Sequence, residues 1–81
     1  MKTPRDLSGA ALISSLQVFG YSRVRQTGSH VQLVTTQNGE HHLSIPLHSP
    51  IKVGTLSQII GLVAEHFQIS KKEALDKLTS R

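Results

Sequence analysis

Two different spacings of apolar residues divide the chain. In the first segment Leu12, Leu16 and Phe19 recur at the spacing of one helix face. Ser8 is a favourable N-cap residue, and Gly20 can adopt the left-handed conformation that commonly ends a helix. The pattern therefore predicts a first helix from Ser8 to Phe19.

From residue 21 onward apolar and polar residues alternate, which is the spacing of half-buried strands. Asn38 and Gly39 form a dipeptide that tight hairpin loops favour, because both residues tolerate positive φ. The alternation predicts three strands, over residues 21–26, 30–36 and 41–47, with a first turn at residues 27–29.

The pairing register of the second and third strands follows from their apolar residues. A loop with one extra residue, and Gly39 as a bulge, places Val31 opposite Ile45 and Leu33 opposite Leu43. A slip of one residue would turn every side chain to the other face, so the register that pairs apolar residues is favoured. It predicts a core face of Val24, Val31, Leu33, Leu43, Ile45 and Leu47. The predicted outer face consists of Arg23, Arg25, His30, Gln32, His42 and Ser44.

Two helices are predicted after the third strand. Thr55 is a candidate N-cap for a helix that ends near Phe67, and Ser70 to Glu73 has the form of a capping box for a short last helix. The predicted fold class is α+β, with the order α-β-β-β-α, a three-stranded antiparallel sheet and a short extra C-terminal helix. We expect residues 1–81 to form a single domain.

Composition narrows the classes of function. The chain has 81 residues, no cysteine and a formal charge of +4. Without cysteine it has neither a disulfide nor a thiolate metal site, and no apolar run approaches the ~20 residues of a membrane span. We expect a cytoplasmic protein with no cofactor. The positive charge attracts anions such as nucleic acid, although a simple soluble basic domain has the same charge balance.

The segment from Arg23 to His30 combines residues suited to binding and cleaving a phosphodiester. Histidine exchanges a proton near neutral pH, and the guanidinium groups of Arg23 and Arg25 suit a phosphate. Gly28 and Ser29 offer backbone amides in a turn, although a loop glycine is more often only a turn residue. We therefore predict a phosphate site on the outer face of the first hairpin.

Three other histidines do not suggest a metal site. His41 and His42 are neighbours on a strand and face opposite sides, so they cannot hold one ion, and no metal site is predicted. His42 shares the predicted face of His30 but lies about 13 Å along the strand, too far to share a proton transfer. His66 suits the end of the second helix, where a cation is stabilised. We interpret these three as solvated or capping side chains.

His48 and Lys52 are different. His48 lies one alternate-residue step beyond the position opposite His30, and such diagonal neighbours are separated by around 7–8 Å. Two histidines at that distance could bracket a phosphate, so His48 is a candidate for phosphate binding. Lys52 precedes a helix N-terminus, a position that attracts anions, although a solvated loop is the simpler reading.

Several short motifs, taken in order, resemble one known family. They are Phe19-Gly20-Tyr21 at the end of the first helix, then Gln26-Thr-Gly-Ser-His30, Ile45-Pro-Leu-His48 and Lys52-Val-Gly-Thr-Leu56. Each is short, but their joint order over about residues 7–78 resembles the HicA family of toxins. Residues 31–33 depart from the pattern, because many relatives carry further histidine or basic residues directly after the active histidine.

The resemblance implies a double-stranded-RNA-binding-like fold and an endoribonuclease that cleaves mRNA. It also implies neutralisation by a cognate HicB antitoxin, with which the toxin would form an oligomer. The active histidine of the family corresponds to His30, and its Pro-x-His element to His48. We expect metal-independent cleavage with one catalytic histidine, and phosphate binding by Arg23, Arg25, Gly28, Ser29, His48 and Lys52. Two alternatives stay open: a non-catalytic RNA-binding module, and an inactive toxin-like partner of an antitoxin.

Overall fold

The structure is a computed structural model that describes residues 7–48 and 50–79. Along the chain its elements are α1 (Gly9–Ser15), a 3₁₀ helix (Leu16–Phe19), β1 (Ser22–Thr27), β2 (His30–Thr35), β3 (His41–Pro46), α2 (Val53–Phe67) and α3 (Lys71–Thr79). The three strands form one antiparallel sheet in the order β1-β2-β3. The predicted α+β class and element order, with an extra C-terminal helix, are confirmed. Both ends of the predicted 1–81 domain lie outside the described residues.

The first helix begins where the sequence predicts and narrows before it ends. The Ser8 hydroxyl accepts a hydrogen bond from the Ala11 amide at 3.1 Å, as an N-cap side chain does. After Ser15 the backbone tightens into 3₁₀ geometry, which is frequent at helix C-termini, and Gly20 ends it with a φ of 81°. The predicted single α-helix to Phe19 is therefore two successive segments.

The register of the β2–β3 hairpin is confirmed. Val31 lies opposite Ile45 and Leu33 lies opposite Leu43, and all four side chains are buried. Gly39 has a φ of 96°, a conformation that suits glycine and lets the loop carry its extra residue. Burial of apolar pairs therefore determined this pairing, as the alternation predicts.

The β1–β2 hairpin departs from the predicted alternation. Arg25 lies opposite Gln32, but Arg23 lies opposite Leu33, because a bulge separates the two arginines. Directly opposed residues of an antiparallel pair share a face of the sheet. Arg25 therefore has the register of the outer face and Arg23 that of the core face. The prediction that both arginines share the outer face is wrong for Arg23.

Two predicted core residues are exposed. Val24, at the bulge, is 56% exposed, because the extra residue removes it from the regular alternation. Leu47 is 37% exposed, because β3 ends at Pro46 and the chain then leaves the sheet. The Leu47 amide still donates to the Ser29 carbonyl at 2.6 Å, which extends the pairing of the two chains by one step.

The start of α2 differs from the prediction, whereas the start of α3 agrees with it. α2 has Lys52 as its N-cap residue and no side-chain cap, so the predicted N-cap Thr55 already lies inside the helix. The capping interaction predicted for α3 is present, since the Ser70 hydroxyl accepts a hydrogen bond from the Glu73 amide at 3.0 Å. None of the helices in the described part of the chain is long and apolar enough to cross a membrane.

The core lies between the helices and one face of β2 and β3. β2 and β3 bury alternate side chains against it, whereas every residue of β1 is exposed. The Thr35 hydroxyl, which is buried, donates to the Phe19 carbonyl at 2.8 Å and joins the end of β2 to the 3₁₀ helix. The largest fully buried apolar side chains are those of Leu12, Leu16, Tyr21, Val31, Leu33, Ile45, Ile51, Leu56 and Val63. The free edge of the sheet at β1 and the junction beyond β3 are left accessible.

Candidate active site

A cavity of about 260 Å³ lies where β2 begins, β3 ends and α2 begins. It is lined by residues from these three segments, namely His30, Pro46, His48, Ile51, Lys52 and Thr55. Three of the predicted site residues therefore lie around one space. Pro46, Ile51 and Thr55 were not among the predicted site residues. Pro46 and Thr55 nevertheless lie in the motifs of residues 45–48 and 52–56, whereas Ile51 has only its position beside Lys52 as a signal.

Strand pairing determines where His30 lies. It is the first residue of β2 and is opposite Pro46, the last residue of β3. His30, His48 and Lys52 are exposed, while Ile51 is buried and gives the cavity an apolar wall. Ionisable side chains that solvent and ligand can reach thus lie beside the apolar side chain of Ile51.

The start of α1 holds the segment that carries His48. The Gly9 amide donates to the His48 carbonyl at 2.9 Å, and the Ile51 amide donates to the Leu7 carbonyl at 2.8 Å. A Cβ atom on Gly9 would lie 2.2 Å from the Pro46 carbonyl oxygen, so only glycine allows this approach. Gly9 therefore supports the segment that bears His48, a role that was not predicted from the sequence. The one signal for it in the sequence is its position directly after the N-cap residue Ser8.

The charges around the cavity favour an anion. Among residues 7–48 and 50–79, its lining contains the Lys52 ammonium group and two imidazoles but no carboxylate. The carboxylates in the described part of the chain belong to the β2–β3 loop, the end of α2 and α3: Glu40, Glu65, Glu73 and Asp76. The N-terminus of α2 also lies here, and the helix dipole makes that end positive.

The first hairpin supplies one further candidate for phosphate binding, Arg25. Arg25 is on the outer face and is the diagonal neighbour of His30, whose direct partner is Thr27. Gly28 has a φ of 59° and open space where a Cβ would be, so it is a turn glycine that leaves room for a ligand. The Ser29 carbonyl accepts a hydrogen bond from the Leu47 amide. Neither these residues nor Arg23 line the cavity itself.

The other histidines have different surroundings. His42 is 62% exposed and contacts the Glu40 carboxylate at 2.6 Å, as a solvated side chain can. His41 and His66 are half-buried and stack on each other with ring centroids 4.4 Å apart. The prediction that His41 is solvated is correct only for part of its ring, because the ring also packs against the end of α2.

Tyr21 completes this second histidine group. Its hydroxyl and the Nδ1 atom of His41 are 2.7 Å apart. Burial raises the pKa of Tyr21 to about 12, so the phenol stays protonated and can donate to Nδ1 in the tautomer whose proton is on Nε2. Burial, and then the nearby His66 and His42, lower the pKa of His41, while Glu65 acts in the opposite direction. On balance the surroundings of this ring favour its neutral form.

His66 fastens α2 to the β2–β3 loop. Its Nε2 atom lies 2.9 Å from the Gln37 carbonyl and 3.1 Å from the Gly39 carbonyl, so it is positioned to donate to both. In return the Asn38 amide donates to the His66 carbonyl at 2.9 Å. The predicted position of His66 near the end of a helix is confirmed. Its side chain binds carbonyl groups of the β2–β3 loop.

The two groups of histidines differ in hydrogen bonding. In residues 7–48 and 50–79, the histidine side chains that form hydrogen bonds are those of His41, His42 and His66. His30 and His48 form none within these ranges, so their ring nitrogens are available to a ligand. No group of three or more potential metal-ligating side chains occurs among the described residues.

Comparison with known protein families identifies the family to which the chain belongs. Residues 9–64 match the model of a family described as the HicA toxin of bacterial toxin–antitoxin systems. The chain belongs to the HicA toxin family. The matched region begins at Gly9 and contains the whole sheet, all lining residues of the cavity and most of α2. No match was found among curated proteins or among solved structures. Membership gives the protein the role of a toxin and implies an antitoxin as its partner.

Proposed function

We propose that this HicA toxin is an endoribonuclease that cleaves mRNA without a metal ion, and that His30 is its catalytic histidine. One observation carries the proposal: His30, His48 and Lys52 line one cavity, and none of the described residues in its lining is a carboxylate. Proton transfer and positive charge are the two functions that phosphodiester cleavage requires of a protein. The cavity's lining supplies both.

In the proposed reaction the ribose 2′-oxygen attacks the adjacent phosphorus. His30 removes the proton of the 2′-hydroxyl or protonates the leaving 5′-oxygen, a contribution that is typically about 10²- to 10⁴-fold. Lys52, His48 and Arg25 balance the charge on the phosphate, with the backbone amides of Gly28 and Ser29 beside them. The need for a 2′-hydroxyl restricts the substrate to RNA.

Arg23 has less support in this role than the other predicted phosphate ligands. Its register is that of the core face, whereas Arg25 shares the outer face with His30. We therefore expect Arg25→Ala to slow cleavage more than Arg23→Ala. The two substitutions remove the same charge from the same strand, so they form a matched pair.

We further propose that the antitoxin partner is of the HicB type, that it binds the toxin as an oligomer, and that both act in the cytoplasm. Family membership supports an antitoxin partner, and the HicB type, the oligomer and the cytoplasm are our proposals. An antitoxin that covers the cavity would keep mRNA from His30.

The test is cleavage of defined RNA by the purified protein in EDTA, together with growth of a bacterial host that expresses it. We expect wild type to cut RNA and stop growth, and His30→Ala to lose both. His42→Ala is the matched control, because His42 is an exposed histidine on the same sheet, outside the cavity. Equal cleavage by wild type and His30→Ala would refute the assignment.

A gel-shift assay run beside the cleavage assay separates catalysis from binding. Salt-sensitive RNA binding by wild type, without any product, would indicate the non-catalytic RNA-binding module instead. Neither binding nor cleavage, with retained binding to the antitoxin, would indicate an inactive toxin-like partner.

A further inference from the structure

We infer that His48 is a second proton-transfer residue, so that His30 and His48 divide the acid and base steps of RNA cleavage between them. The inference rests on the proposed function, because it requires the scissile phosphodiester to occupy the cavity. It extends that function by adding His48 to His30 as a second catalytic histidine.

The two imidazoles belong to chain segments that meet at the end of the sheet. His30 is opposite Pro46, and His48 follows two residues later. The hydrogen bond from the Leu47 amide to the Ser29 carbonyl keeps the segments paired at this point. The hydrogen bond from Gly9 to the His48 carbonyl fixes the backbone next to the second imidazole. Both side chains line the same cavity from held positions.

His48 is the only imidazole besides His30 among the residues that line the cavity. The other three histidines have partners elsewhere: His42 contacts Glu40, His41 contacts Tyr21, and His66 contacts carbonyls of the β2–β3 loop. If a second histidine takes part in the reaction, the geometry assigns that part to His48.

The chemistry has work for two imidazoles. A bond forms between the 2′-oxygen and phosphorus while the bond from phosphorus to the 5′-oxygen breaks. The products are a 2′,3′-cyclic phosphate and a free 5′-hydroxyl. One proton leaves the 2′-hydroxyl and one reaches the 5′-oxygen, so a neutral imidazole accepts the first and an imidazolium donates the second. No co-reactant is needed for the balance.

The first test is the pH dependence of kcat/KM for a short fluorogenic oligoribonucleotide. Wild type should give a bell-shaped profile, whose two limbs report an essential acid and an essential base. His48→Ala should be slower by about 10²- to 10⁴-fold and should lose one limb. Lys52→Ala is the matched control in the same cavity: it should be slower but keep both limbs. The Tm of each variant verifies folding.

A His48→Ala protein that keeps both limbs, or that cleaves as fast as wild type, would overturn the inference, because His48 would then only bind. In that case wild type still cleaves RNA and the proposed function stands. A wild-type protein that cleaves no RNA would overturn both.

The second test uses an RNA whose scissile 5′-oxygen is replaced by sulfur. A thiolate leaves without being protonated, so this substrate removes the need for the acid and leaves the need for the base. Of His30→Ala and His48→Ala, one variant should recover on the sulfur substrate and the other should not. Recovery of both, or of neither, would contradict a division of labour between the two imidazoles.

Discussion

The β2–β3 hairpin carries histidines at both of its ends, and the two ends are built differently. At the open end His30 and His48 are exposed around a cavity that also holds Lys52. At the loop end His41 and His66 stack with centroids 4.4 Å apart and are half-buried. The same residue type is exposed and unpartnered within the described chain at one end and packed at the other.

The difference shows how a histidine's surroundings limit what it can do. The ring nitrogens at the loop end are used for Tyr21 and for two loop carbonyls, so they stabilise the fold. At the open end His30 and His48 line a cavity and form no side-chain hydrogen bond with the described residues. The number of histidines alone does not distinguish the two ends of the hairpin.

The largest expected effect is a separation of activity from stability between the two ends. His30→Ala should reduce cleavage by about 10²- to 10⁴-fold with an unchanged Tm, because an exposed side chain is removed. His66→Ala should lower the free energy of unfolding by about 1–2 kcal/mol, because two carbonyls lose a donor, and leave cleavage per folded molecule unchanged. Cleavage rates and urea unfolding of both variants measure this. A loss of stability in His30→Ala would break the comparison.

The second prediction joins the open end to the fold through Gly9. Gly9→Ala should lower the free energy of unfolding by about 1–3 kcal/mol, because the new Cβ would collide with the Pro46 carbonyl oxygen. Cleavage should fall as well, since the backbone that bears His48 has to move. Gly61→Ala in α2 is the control, because its Cβ would meet only the end of the Lys71 side chain at 3.6 Å. It should be neutral or stabilising by up to about 1 kcal/mol. Urea unfolding distinguishes them, and equal stability of the two variants would contradict this account.

How far the sequence predicts this arrangement depends on how many apolar residues each element has. β2 and β3 carry apolar residues that must face the core together, so their register followed from the alternation. β1 has only Val24 as an apolar residue, and its register was not determined by burial. The bulge that turns Arg23 away from Arg25 therefore left no trace in the pattern.

The proximity of three candidate residues was predictable from the sequence, whereas the backbone contacts that support them were not. His30, His48 and Lys52 stand in short motifs, and the sheet brings them together as expected. The approach of Gly9 to Pro46 depends on the packing of α1 against β3, which local spacing does not describe. The contact of Tyr21 with His41 likewise joins residues that only the tertiary fold makes neighbours.

A third prediction concerns the hydroxyl at the loop end. Tyr21→Phe keeps the buried ring and removes the donor to the Nδ1 atom of His41. We expect the free energy of unfolding to fall by about 0.5–1.5 kcal/mol, the usual net value of such a hydrogen bond, without a change in cleavage. Thermal and urea unfolding measure the first, and the RNA assay the second. Unchanged stability would mean that this hydrogen bond adds little to the fold, and the loop end would resemble the open end more closely.

The smallest expected effect is a pH dependence of stability at the loop end. The pKa of His41 is lowered in the folded protein, chiefly by burial, and the groups that face it are Tyr21, His66, His42 and Glu65. The unfolded chain therefore binds the proton more readily. The contribution of His41 is complete above its ordinary pKa of about 6.5 and is lost as the pH falls through the lowered value.

The matched variant is His41→Asn, whose amide can accept the Tyr21 hydroxyl in place of Nδ1 but does not titrate. Between pH 7.5 and pH 5 the Tm of wild type should fall by about 1–3 °C more than that of the variant, a small difference because the ring is partly solvated. Carboxylates titrate alike in both proteins, so the difference isolates His41. Parallel Tm profiles would show that the ring tolerates its charge when folded. The loop end would then be no less able to carry a protonated imidazole than the open end, where the proposed catalysis requires one.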